Sequence, residues 1–85
     1  MMQELDARQQ LMVITMEECG ELQQVCSKIL RQATVENKRQ ELVDELGDVL
    51  CMIGLMQEHD LVSWQELEDR AEVKREKLSK WSDLV

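Results

Sequence analysis

Apolar residues recur every three or four positions from Leu5 to Leu30 with no Gly or Pro pair to interrupt them. That spacing predicts a first helix from about residue 3 to about residue 31. The chain then turns polar at "RQATVENKRQ". Asn37 with Gln40 three positions on resembles a capping box, which starts a second helix near Lys38, and Thr34 offers a start one turn earlier. This helix runs to about Glu58, where His59 and Asp60 break the apolar pattern. A histidine is favoured at a helix C-terminus by the dipole, and His59 has no second histidine or suitably spaced cysteine, so it reads as an end residue. Ser63 with Glu66 is a clearer capping box, after which Trp64, Leu67, Ala71, Leu78 and Trp81 form one seam of a third helix. The expected fold class is all-α: a three-helix protomer, a single domain over residues 1–85. Gly20, Gly47 and Gly54 fall inside helices, where each costs about 1 kcal/mol against Ala, so a neighbouring backbone is expected to approach them.

Two places break the apolar stripes with acid. At about 100° per residue, Glu18 and Glu21 share an arc with Leu11, Ile14, Leu22, Val25 and Ile29. Glu45 and Asp48 share theirs with Val49, Met52 and Met56, in a run, "VLCMIGLM", apolar nearly all round as a fully buried segment would be. The two stretches, "ECGEL" and "ELGDVL", echo each other. Four carboxylates gathered in a partly buried place repel one another and take up protons unless cations neutralise them. Oxygen-only ligands select hard ions, and Mg²⁺ takes one or two carboxylates while sharing phosphate oxygens, so two or more Mg²⁺ could sit between the helices. The alternative leaves these acids at a solvated groove edge or paired with Lys28, Arg31 or Lys38. The same spacing arises by chance at Glu41 with Asp44 and at Glu66 with Asp69; Glu66 is accounted for by its cap, and Glu68, Asp69, Glu72 and Glu76 lie off the seam of the third helix and read as an ordinary solvated face.

Composition narrows the partners. Eighty-five residues barely bury a private core, so a partner chain is expected. The chain has no proline and only three glycines, which favours helix throughout. A net charge of −8 would repel nucleic acid and anionic lipid, and suits small cations instead. No stretch reaches the length of a membrane span, and "MMQELDARQQ" lacks the basic flank and apolar core of a signal peptide, so a cytoplasmic protein is expected. Cys19, Cys26 and Cys51 lack the paired spacing of zinc or redox sites. They are expected to be reduced and buried, and the six methionines to be core filler. Lys74 falls in the middle of the third helix's seam, with Arg70 and Lys77 on one flank. It either turns inward to meet acids and phosphate, or packs its stem while its amine reaches water.

"EECGEL", followed after a loop by "DELGDVL", resembles the E-x-x-E then E-x-x-D signature of MazG-like nucleoside triphosphate pyrophosphohydrolases, in the all-α NTP pyrophosphatase superfamily. The tail "VKREKLSKW" is similar to the basic closing helix of that family. The resemblance implies that Glu18, Glu21, Glu45 and Asp48 ligate Mg²⁺. It further implies a four-helix-type bundle completed by a second subunit as homodimer or homotetramer, and the reaction NTP plus water to NMP plus pyrophosphate. Lys28, Lys74, Lys77 and Lys80 stand where the family places phosphate-contacting residues. Glu17 or Glu18 is the candidate general base, Glu17 because it adjoins the metal ligands without being one. Two departures leave the preferred nucleotide open: Ile14 and Thr15 replace a frequent basic residue, and Cys51 and Met52 a frequent aromatic. Clearance of non-standard nucleotides is the role the resemblance suggests. A phosphoribosyl-ATP pyrophosphohydrolase would share the acids and the reaction type, whereas a non-catalytic helical module would bind metal for stability or nothing at all.

Overall fold

The computed structural model describes residues 4–31 and 34–85. Three helices follow in order, α1 (Ala7–Arg31), α2 (Val35–Glu58) and α3 (Trp64–Trp81), with no strand among the described residues. The first helix begins later than its apolar pattern predicts, and the predicted start at residue 3 lies outside the described residues. Asp6 sets the start through a reciprocal cap: its Oδ1 accepts from Gln9 N at 2.8 Å while Gln9 Oε1 accepts from Asp6 N at 3.0 Å. Two of the opening amides are thereby satisfied.

The second helix starts at the earlier of its two predicted positions. Thr34, extended at φ −115° and ψ 165°, accepts from Asn37 N at 3.1 Å. The box predicted at Asn37 and Gln40 does not form, because the Gln40 amide donates instead to Asp44 Oδ1 at 2.7 Å, one turn on. At the far end His59 closes α2, and Asp60 takes a left-handed φ of 61°. Leu61 N then reaches Met56 O at 2.9 Å and Asp60 N reaches Gln57 O at 3.0 Å, the paired bonds of a Schellman stop. The Ser63–Glu66 box of α3 forms in both directions, at 3.2 and 3.0 Å.

Packing is concentrated between α1 and α2, which run alongside as a hairpin, while α3 meets them only sparsely. Among the described residues Leu11, Val25 and Met52 are the buried apolar ones, each 5% exposed. The apolar run of α2 is therefore not fully buried as predicted: Leu50 and Cys51 are exposed and Ile53 to Met56 only half-buried. The seam of α3 is likewise shallow, with Leu67 and Leu78 half-buried and Trp64, Ala71 and Trp81 exposed. Cys19, Cys26 and Cys51 carry free thiols but are exposed, against expectation, because they turn away from the stripe that joins the two helices. A Cβ added at Gly20, Gly47 or Gly54 would meet nothing within 4 Å, so the predicted close approach of a backbone is missing within the chain. No helix among the described residues is long and apolar enough to cross a membrane.

Candidate metal centre

The i, i+3 spacing puts Glu18 and Glu21 on adjacent turns at one edge of α1, and Glu45 and Asp48 likewise on α2. Because the hairpin is antiparallel, Glu18 comes beside Asp48 and Glu21 beside Glu45, each pair near enough to share a proton. One carboxylate oxygen from each of the four lies within 4.8 Å of the others. Glu18 and Glu45 are half-buried, while Glu21 and Asp48 form the open rim. The convergence that the interrupted stripes predict is present.

Burial and like charge act together here. Glu18 has a pKa raised above the usual glutamate value by desolvation first, then by the charges of Glu21 and Asp48, with Glu17 adding to them. Glu45 is raised by desolvation, then by a proton-sharing contact with Glu21 and its charge, and by Asp48 and Glu18. Oε2 of each is buried without a hydrogen-bond donor. No basic side chain relieves them: among the described residues the only ion pair is Lys38 with Glu41, at 3.4 Å on the outside of α2. The alternative pairing with Lys28, Arg31 or Lys38 is thus absent. Four converging carboxylates, two with orphaned oxygens and none with a cationic partner, fit a hard divalent cation by chemistry and by charge.

The predicted basic residues are placed differently. Lys28 is exposed, two turns beyond Glu21 on the same flank of α1, roughly 10 Å along the axis. Lys74 lines a groove between α2 and α3 with Leu50 and Ile53, and its Nζ sits 5.6 Å from the centroid of the Trp81 ring. Lys77 and Lys80 are exposed on α3. Glu17 is exposed beside Glu18. One polar neighbour was not anticipated: Thr15, a turn before Glu18, holds a buried Oγ1 without a partner. In the sequence it shows as a hydroxyl at the margin of the apolar arc of α1 and as one of the two residues that replace a frequent basic residue of the family the chain resembles.

The sequence profile described as MazG nucleotide pyrophosphohydrolase domain matches residues 6–80. Neither a curated protein nor a solved structure matches the chain. The matched span contains all four clustered acids and all three helices save the last residue of α3. By that match the chain belongs to the MazG nucleotide pyrophosphohydrolase domain family.

Proposed function

We propose that this protein is an Mg²⁺-dependent nucleoside triphosphate pyrophosphohydrolase, converting (d)NTP and water to (d)NMP and pyrophosphate, with clearance of non-standard nucleotides as its role. The observation that carries the proposal is the set of four carboxylate oxygens within 4.8 Å, two of the residues holding buried oxygens that no donor reaches. In this reading Glu18, Glu21, Glu45 and Asp48 would hold the magnesium. The ion would neutralise charge on phosphate oxygens and lower the pKa of water at the site.

The remaining work falls to the chain. Glu17 or Glu18 takes the proton of the attacking water. The raised pKa of Glu18 makes it a better proton acceptor than an ordinary carboxylate, and Glu17 has the freedom of an exposed side chain. Lys28 lies on the flank along which a polyphosphate leaving the acids would extend, and Lys74, Lys77 and Lys80 are the further candidates for phosphate contact. A second subunit, as homodimer or homotetramer, completes the helical bundle.

The test is product analysis. Purified protein incubated with NTPs, dNTPs and modified analogues plus Mg²⁺ should release NMP and pyrophosphate, resolved by chromatography. Glu21→Gln or Glu45→Gln should lower turnover at least about 100-fold, since even outer-shell partners of a metal cost 10- to 100-fold, with helical circular dichroism unchanged. Full activity in both variants would remove the assignment of the site.

A further inference from the structure

Among the described residues, three side-chain atoms are buried with no hydrogen-bond partner: Thr15 Oγ1, Glu18 Oε2 and Glu45 Oε2. Two are carboxylate oxygens without a donor, and the third belongs to a hydroxyl that could serve one of them. Thr15 precedes Glu18 by three positions on α1, which puts their Cβ atoms about 5–6 Å apart. Glu45 has no such neighbour, because Leu42 stands one turn before it on α2. The two echoing motifs thus differ: the α1 half carries a hydroxyl behind its first acid and the α2 half carries only hydrocarbon.

A helical threonine can rest its hydroxyl on the carbonyl three or four residues back, a bond that Thr15 does not make. Nothing opposite takes its place. The register that sets Glu18 beside Asp48 puts Thr15 one turn further along, toward the buried Met52, whose thioether is a weak acceptor. A buried hydroxyl without a partner costs stability. The ion-free fold therefore gains nothing from it.

A bound cation changes the balance. A carboxylate that ligates through one oxygen leaves the other in need of a donor, and such outer partners fix the ligand's orientation. For Glu18 the other oxygen is the buried Oε2, shielded from solvent and from the lysines, since Lys28 is exposed two turns past Glu21 and Lys38 pairs with Glu41. Thr15 is the donor that remains. We propose that Thr15 is a positioning residue of the metal centre: its hydroxyl donates to Oε2 of Glu18 when a cation is held on the other oxygen, which confines Glu18 to one-oxygen ligation and favours Mg²⁺ over Ca²⁺. The preference follows from coordination chemistry. Mg²⁺ demands near-octahedral geometry from single oxygens, whereas Ca²⁺ takes more ligands and accepts both oxygens of one carboxylate. A hydroxyl on Oε2 closes off that second mode. With both oxygens of Glu18 engaged, Glu17 is the candidate base left free. This role rests on the reading of the four acids as magnesium ligands and adds a selectivity to it.

Calorimetric titration of the full chain with MgCl₂ or CaCl₂, with no nucleotide present, reads the effect directly. Thr15→Val removes the hydroxyl at nearly constant shape. It should weaken Mg²⁺ binding at least about tenfold, as loss of an outer partner does, and reduce the preference for Mg²⁺ over Ca²⁺ by about as much. In ion-free buffer the same variant should melt at or above the wild-type midpoint, since an unpaired buried hydroxyl has gone. Thr15→Ser keeps the hydroxyl and sheds a methyl, so it should melt at or below wild type yet retain the wild-type Mg²⁺ affinity and preference. A packing role predicts the reverse order, with metal binding following the midpoint. An unchanged preference in Thr15→Val would overturn the role, as would Thr15→Ser binding like Thr15→Val, or Thr15→Val melting well below wild type or failing to fold. Each of those outcomes leaves the acids as magnesium ligands. A wild-type chain that binds neither ion removes that reading, and the role of Thr15 with it.

Discussion

Glu18 and Glu45 lie within the apolar stripes that join α1 to α2, so folding draws their carboxylates partly out of water and toward Asp48 and Glu21. A carboxyl whose pKa is higher folded than unfolded holds its proton more tightly in the native chain. The stability it contributes is therefore greatest in acid and is lost as pH rises through the ordinary carboxylate range and past it, until the folded-state groups ionise. Without divalent ions, thermal melts followed by circular dichroism should show the midpoint falling from pH 5 to pH 7.5. Mg²⁺ should restore stability at the higher pH and do much less at the lower, where protons occupy the same oxygens. In ion-free buffer at pH 7.5, Glu45→Gln should melt at or above the wild-type midpoint while losing most of the magnesium response. A wild-type midpoint indifferent to both pH and Mg²⁺ would show that the four carboxylates are not coupled. Among single residues, the interrupted stripes located these acids, whereas the orphaned hydroxyl of Thr15 depends on what stands opposite it, which its traces in the sequence do not disclose.

Helix ends are short-range features, and here each start follows a side chain that bonds the backbone a few residues away. Asp6 with Gln9, Thr34 with Asn37 N, and Ser63 with Glu66 open the three helices. Ser63→Ala should cost about 1 kcal/mol, lowering the midpoint by about 4–8 °C in a domain of this size. Asp60 closes α2 in the left-handed region, which glycine enters without a steric penalty. Asp60→Gly should accordingly hold the midpoint or raise it by a few degrees, in contrast to Ser63→Ala; equal losses in the two would contradict the Schellman stop. The Asp6 box was present in the sequence as D-x-x-Q but was masked by the apolar Leu5 before it, and the predicted Asn37–Gln40 box lost to a threonine one turn earlier. Both misplacements arise because several residues in each stretch can cap and only one does.

At the scale of the whole molecule, the acids and the basic helix are separate structures. The four clustered carboxylates belong to the hairpin alone, and Lys74 is held in the α2–α3 groove with its amine over Trp81. Lys74→Ala should therefore leave the magnesium-induced rise in melting midpoint unchanged, whatever it does to nucleotide turnover. A lost magnesium response in that variant would mean that α3 folds over the acids in solution. The sparse packing of α3 and the exposed stripes on α1 and α2 have one physical source, a chain too short to enclose its own apolar residues.

Periodicity, caps and charge by themselves determined three helices, their approximate limits and four acids at one hairpin edge, because each depends on residues within a turn or two of one another. Resemblance to the signature acids supplied the family, and the matching profile bears it out. Which apolar residues are buried was a tertiary matter: the seam of α3, the thiols and the glycines had been assigned to an interior, yet they lie open because burial depends on what packs opposite. What Lys74 faces was left open between acids and water by the sequence, since a helical wheel gives the direction of a side chain and only the packing of α3 decides what that direction faces.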